Sequence, residues 1–208
     1  MSVIEKLATS LGRKDDVPNQ ELAREIASKN DNKSVSELID ILKTTKDKKI
    51  QSDCIKTLYE IGYIKPELIA EYYPFFIELL KSRNNRLVWG AMIALYTISK
   101  MKPREIFENL SEILEAIQKG SVITKDYGVR ILINLSGISE FANSAFDLLM
   151  DQLRKCEPKQ LPLYAEKTLP VINAENQRIF IELLEERFDE LEKDSQKRRI
   201  EKVLRKLK

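Results

Sequence analysis

The sequence predicts an all-α fold, a right-handed α-α superhelix (α-solenoid) of about five to six antiparallel helix hairpins. Three observations carry this. Leu58, Leu95, Leu135 and Leu169 recur at steps of 37, 40 and 34 residues, and Ile61, Ile98, Ile138 and Ile172 follow them at the fourth place of each motif. A period of that size is one helix pair that cannot hide its apolar face alone and must stack on its neighbours. The 208-residue chain also holds only 6 Gly and 7 Pro, too few for the many tight turns of a sandwich or barrel. Finally, the apolar residues, 43% of the total, fall at three- and four-residue spacing.

One domain, residues 1–208, is expected, with a helical cap (1–33), core repeats (34–176) and a capping hairpin (177–208). The cap pairs Val3–Leu11 with Pro18–Ser28, which carries Leu22 and Ile26, and Gly12–Val17 reads as a linker. The first core repeat has a short helix, Ser36–Lys43. Its mate runs from about Lys48 to Ile61 through Ile50, Cys54 and Leu58.

The clearest unit is Lys65–Lys100. Its first helix opens at Pro66, whose missing N–H is no loss in a first turn. Leu68, Ile69, Tyr73, Phe76, Ile77 and Leu80 then form one stripe, and Ser82 to Asn85 turn the chain. The second helix carries Leu87, Ala91, Ala94, Leu95 and Ile98 on one face, and small residues at 90, 91 and 94 permit a close approach to its partner.

The same syntax returns 37 residues on. Lys102-Pro103 opens a helix with Ile106, Leu110, Ile113, Leu114 and Ile117, Gly120 ends it, and the second helix holds Ile131, Leu135 and Ile138. Downstream, Phe146, Leu149, Met150 and Leu153 mark a first helix and Leu161 to Ile172 the second, which Pro170 should kink or end early. The last pair is Gln177–Glu192 and Ser195–Lys208. Its first member is rich in Glu and its second in Lys and Arg, so antiparallel packing brings opposite charges together; a basic docking patch is the other reading.

These residues resemble HEAT-type repeats, antiparallel helix pairs that stack into α-solenoids. Leu87, Gly90-Ala91, Ala94-Leu95 and Ile98 fall where that family places an aliphatic, two small pairs and an aliphatic, and Pro74 resembles the proline that bends many of its first helices. The resemblance spans roughly residues 34 to 192. The family's Asp and Arg ladder is largely missing, with Gln51, Val88, Gly128 and Pro162 at the Arg place.

Composition removes several function classes. With no histidine, Ser-His-Asp and Cys-His catalysis and H-E-x-x-H zinc sites are excluded. Cys54 and Cys156 lie too far apart for a C-x-x-C motif, and Cys54 occupies a repeat position filled elsewhere by Ala91, Ile131 and Ala165, so it reads as core. A net charge of +2 supplies no global field toward nucleic acid. No apolar run reaches the ~18 residues of a membrane span. The first residues lack the order of a signal peptide, so a cytoplasmic protein is expected.

The resemblance implies that second helices line a concave, ligand-facing surface. Their faces turned away from the first helices carry Lys49 and Lys56; Arg86, Trp89, Ile93 and Tyr96; Val129, Arg130 and Ile133; and Tyr164 and Lys167. Trp89 is the single Trp, with Tyr96 seven residues on, and a Trp–Tyr–Arg cluster is the kind of anchor that dominates binding energy. The competing reading wedges Trp89 between neighbouring repeats. Lys49, Lys56, Arg86, Arg130 and Lys167 read either as a stripe for phosphate or an acidic peptide, or as ordinary solvated cations.

The expected function is therefore a non-catalytic scaffold that binds a protein or peptide on its concave face, without cofactor, metal or membrane. The alternative is a nucleic-acid-binding relative. Its extreme form is an alkylpurine DNA glycosylase using Trp89, Asp126 and Arg130, against which the single Trp and the near-neutral charge both count.

Overall fold

The computed structural model describes residues 2–207; Met1 and Lys208, the last of the basic residues expected on the final helix, lie outside them. Twelve α-helices and no strand occur among the described residues. The chain forms two compact units, Met1–Gly128 and Val129–Lys208, so the division falls inside the stretch expected as core repeats.

In the first unit, α1 (Val17–Lys29) and α2 (Asn32–Thr44) both pack on α3 (Lys48–Ile64). Side-chain caps start the second and third of these helices. Asp31 accepts from the Ser34 N–H, and Asp47 accepts from the N–H groups of Lys49 and Ile50, each satisfying donors that a helix start leaves open. The expected helix Val3–Leu11 is instead one 3₁₀ turn, Val3–Lys6, followed by irregular chain.

That segment is held by side chains rather than by its own backbone ladder. Ala8 N–H donates to Asn19 Oδ1 at 3.0 Å, Thr9 N–H to Asp53 Oδ2 at 2.8 Å, and Asn19 Nδ2 to Asp53 Oδ1 at 2.8 Å. Asn19 and Asp53 are both buried, and these bonds are what makes their burial tolerable.

In each of the next two repeats the first helix, expected to be continuous, is broken into shorter segments. Pro66–Leu68 and Ala70–Tyr72 are 3₁₀ turns, and only then do α4 (Tyr73–Leu79) and α5 (Asn85–Ile98) follow. Thirty-seven residues on come α6 (Pro103–Glu108), α7 (Leu110–Lys119) and α8 (Val122–Ser136). The breaks are equivalent: Tyr72 (φ −89, ψ 10) and Asn109 (φ −106, ψ 21) leave helical geometry at matching places.

The causes of the two breaks differ. Pro74 has no N–H to give a preceding turn and its ring would meet the carbonyl four residues back, so α4 starts with it in the first turn. Asn109 instead donates its side-chain amide to the Glu105 carbonyl at 2.8 Å, satisfying an acceptor at the end of α6.

α5 packs against α4 and also along α3, and the glycine there explains how. A Cβ on Gly90 would lie 2.6 Å from Ile55 Cγ1 of α3, so the small residue serves the neighbouring repeat's helix and not only its own partner. In α8, a Cβ on Gly128 would lie 2.3 Å from Ile117 Cγ1 of α7.

The second unit contains the C-terminal half of α8, α9 (Ala142–Lys155), α10 (Leu161–Thr168), α11 (Gln177–Glu186) and α12 (Asp194–Leu207). α12 packs on both α10 and α11, burying Ile200 and Val203 against a core that includes Phe180, Leu183, Leu184 and Ala165. Pro170 ends α10 early, leaving a 3₁₀ turn at Leu169–Val171. α11 stops six residues short of the expected Glu192. At its end the buried Arg187 turns inward, donates to the Leu153 carbonyl near the end of α9, and pairs with Glu190.

The basic last helix meets a carboxylate on α10: Arg199 grips Glu166 with two hydrogen bonds, at 2.8 and 2.7 Å. No helix among the described residues is long and apolar enough to cross a membrane.

Two outcomes follow. Gly90→Ala forces a methyl group into Ile55, which is fully buried, and should lower unfolding stability by about 1–3 kcal/mol in denaturant titration. The Arg199 hydrogen bonds hold the Glu166 carboxyl below its ordinary value. A depressed carboxylate stabilises above its unfolded pKa and loses that contribution as pH falls through the folded one. Glu166→Gln should therefore melt below wild type at neutral pH, the gap narrowing below about pH 4.

Candidate functional site

The helices α3, α5 and α8 present side chains that meet in a continuous aromatic run within the first unit. On α3 the residues sit at helical spacing (Lys56, Tyr59, Glu60, Tyr63), so they share one stripe. On α5 they are Arg86, Trp89 and Tyr96, and Tyr127 completes the run from α8. Tyr59 lies 6.0 Å from Trp89 and 6.4 Å from Tyr63, centroid to centroid. Tyr63 lies 6.4 Å from Tyr96, and Tyr96 lies 5.4 Å from Tyr127, both edge-to-face. The Tyr63 hydroxyl donates to that of Tyr127 at 2.6 Å. These separations and tilts are the ones that the aromatic quadrupole favours.

Two cations cover one end of the run. The Arg86 guanidinium stacks over Trp89, 4.4 Å from the ring centre, and Lys56 Nζ lies 5.0 Å from the centre of Tyr59. Lys56 is buried, with its ammonium 2.7 Å from Glu60. Burial works against that charge, but hydrogen bonding to Glu60 and Tyr59 outweighs it and leaves the Lys56 pKa raised. Burial raises the Tyr59 pKa, and Lys56 opposes this. Lys56 is thus a fixed cation at ordinary pH and no candidate for a neutral-amine base.

The sequence expectations divide accordingly. Trp89, Tyr96, Arg86 and Lys56 come together, and Trp89, Tyr96 and Arg86 are half-buried. Trp89 therefore combines both earlier readings, packed on a neighbouring helix through Tyr59 yet reachable from solvent. Lys49 is exposed in the first turn of α3.

Ile93 is a correction. It is only 4% exposed, because α5 is flanked by α3 as well as α4 and so buries apolar residues nearly all the way round. Tyr164 is a second correction, at 2% exposed, its hydroxyl accepting from Gln160 Nε2 at 3.0 Å. Val129 and Ile133, expected on the same face, are also buried. Arg130 and Lys167 are half-buried residues of the second unit.

Sequence reading missed Tyr59, Tyr63 and Tyr127. A signal for the first was present, since Leu58-Tyr59 and Leu95-Tyr96 are the same dipeptide 37 residues apart. Tyr63, nearly half exposed at 46%, and Tyr127 have no such counterpart.

No group of three or more metal-binding side chains occurs among the described residues. Burial, aided by the charge of Asp53, pushes the Cys54 thiol up to about 12. A groove of about 330 Å³ behind the α4–α5 turn is lined by Leu80, Val88 and Ala116, with Lys81 and Glu112 paired at 3.8 Å on its wall. A thiol reagent applied near pH 8 should leave Cys54 unmodified in native protein and label it only after unfolding, as peptide mass spectrometry would record.

No protein-family model and no curated protein sequence matches the chain. Among solved structures it is similar to a computationally designed armadillo repeat protein for modular peptide recognition, at 13% identity, 97% coverage of each chain and a TM-score of 0.62. That likeness shows the fold: stacked helical repeats of the armadillo-like α-solenoid class.

Proposed function

We propose that this chain is a non-catalytic scaffold that grips a protein or peptide segment along the aromatic face of α3, α5 and α8. The observation that carries this reading is the run from Trp89 through Tyr59, Tyr63 and Tyr96 to Tyr127, part of it solvent-exposed, with Arg86 stacked on the Trp. Rings already packed on one another lose little freedom when a ligand arrives, which lowers the ordering cost of association. The similar fold of a protein designed for peptide recognition supports the same reading. The chain's own sequence points to this concave face through its HEAT-like pattern, and the free thiols of Cys54 and Cys156 support a reducing, cytoplasmic setting.

Nucleic-acid binding is the weaker alternative, because the net charge is only +2 and supplies no extended positive field. Trp89 is the sole tryptophan, so its fluorescence reports occupancy directly. Binding of a selected peptide should perturb that emission, and Tyr96→Ala should weaken affinity by about 2 kcal/mol or more. Trp89→Ala should do the same when binding is followed by calorimetry. Unchanged affinity in both variants would remove the aromatic face as the binding surface. Binding to duplex DNA that collapses steeply with salt would favour the alternative.

A further inference from the structure

The cationic end of the aromatic face is already approached by a carboxylate of the chain itself. Asp16 lies in the exposed segment just before α1. Its Oδ2 lies 3.5 Å from Lys56 Nζ, and its Oδ1 lies 3.7 Å from Arg86 Nη2. Both distances exceed the 2.7–3.2 Å of a hydrogen bond between nitrogen and oxygen, so Asp16 is a loose counter-ion and not a bonded partner.

The Asp16 carbonyl accepts the Gln20 N–H at 3.1 Å, but its carboxylate makes no hydrogen bond that would fix its position. Although it stands at the N-cap of α1, its side chain caps nothing, while its neighbour Asp15 takes the Arg13 guanidinium and the Val17 N–H. The receptor beneath is built more firmly than its occupant. The Lys56 side chain is only 9% exposed and is fixed by Glu60 at 2.7 Å, and the Arg86 guanidinium lies over Trp89, 4.4 Å from the ring centre.

Arg86 also carries unused capacity. Its Nε is shielded from solvent and has no hydrogen-bond partner, an unusual condition for a charged donor. Because Nε is enclosed, a carboxylate arriving from solvent meets the two terminal nitrogens, Nη1 and Nη2, which form a fork of the right geometry to hold it.

We propose that the bound segment carries an Asp or Glu side chain that seats on Arg86 and the Lys56 ammonium beside an apolar or aromatic residue on Trp89, and that Asp16 holds this place in the free protein. The inference rests on the peptide-binding reading and names its ligand class. Charge complementarity selects the acidic residue, and the loose contacts of Asp16 make it displaceable. Its removal frees the receptor, whereas removal of Arg86 destroys it.

The test uses the full chain and a library of random 12-residue peptides. Sequences selected on wild type should be enriched in Asp or Glu, and changing that residue to Asn or Gln in a selected peptide should weaken binding about tenfold. Asp16→Asn, which keeps the side-chain shape, should tighten binding of acidic peptides by up to about fivefold without lowering the melting temperature. Arg86→Gln should abolish the preference for acid over amide.

Peptides that bind with no acidic enrichment would overturn the inference and leave the scaffold reading standing. The same holds if Asp16→Asn lowers the melting temperature and leaves affinity unchanged, since Asp16 would then be a structural anchor. A folded wild type that selects no peptide at all would overturn both.

Discussion

The close contact between α3 and α5 is the constraint on which the first unit depends. Both helices belong to the repeating second-helix position, and each is packed on more than one side. α3 buries Ile50, Cys54, Leu58 and Ile61 on one flank and Ile55 and Tyr59 on another. Gly90 permits the approach, since any side chain there would meet Ile55. Interiors at crystal-like density have no slack with which to absorb such a clash. One repeat cannot form this contact alone, which is why the chain repeats its pattern at all.

The aromatic face follows from that contact. Once α3 and α5 lie side by side, rings on their shared edge are forced into mutual contact. Tyr59 and Tyr63 reach Trp89 and Tyr96 without any loop to position them. Tyr127 joins through its hydroxyl and ring from the next helix in the series. Residues on helices are held more precisely than residues on loops, so a recognition surface of this kind is stiff before any ligand arrives. The charges arranged at one end, Lys56 with Glu60 and Arg86 with Asp16, give the surface a direction.

Buried polar groups secure the units at their ends. At the N-terminal end, Asn19 and Asp53 supply the bonds that an irregular segment cannot make with its own backbone. In the second unit Arg187 plays the corresponding part for the last turn of α9. Both sites place a polar side chain where the repeat pattern stops providing backbone partners.

Periodicity alone was enough to read the all-α class, the repeat step, the apolar stripes and the early end of α10 at Pro170, because each is a local consequence of side-chain spacing or of a missing N–H. It also marked Trp89, Arg86, Tyr96 and Lys56 as neighbours on one face. The break in α6–α7 was not legible, since nothing in the apolar pattern distinguishes Asn109, whose side chain competes for the Glu105 carbonyl, from an ordinary polar residue of a continuous helix. The burial of Ile93 and Tyr164 was decided by tertiary packing: a helical wheel shows which residues share a face, but only the neighbouring helices determine whether that face meets water. The proximity of Asp16 to Arg86 and Lys56 likewise joins residues far apart in the chain, and such separations are set by the folded path and by no spacing rule.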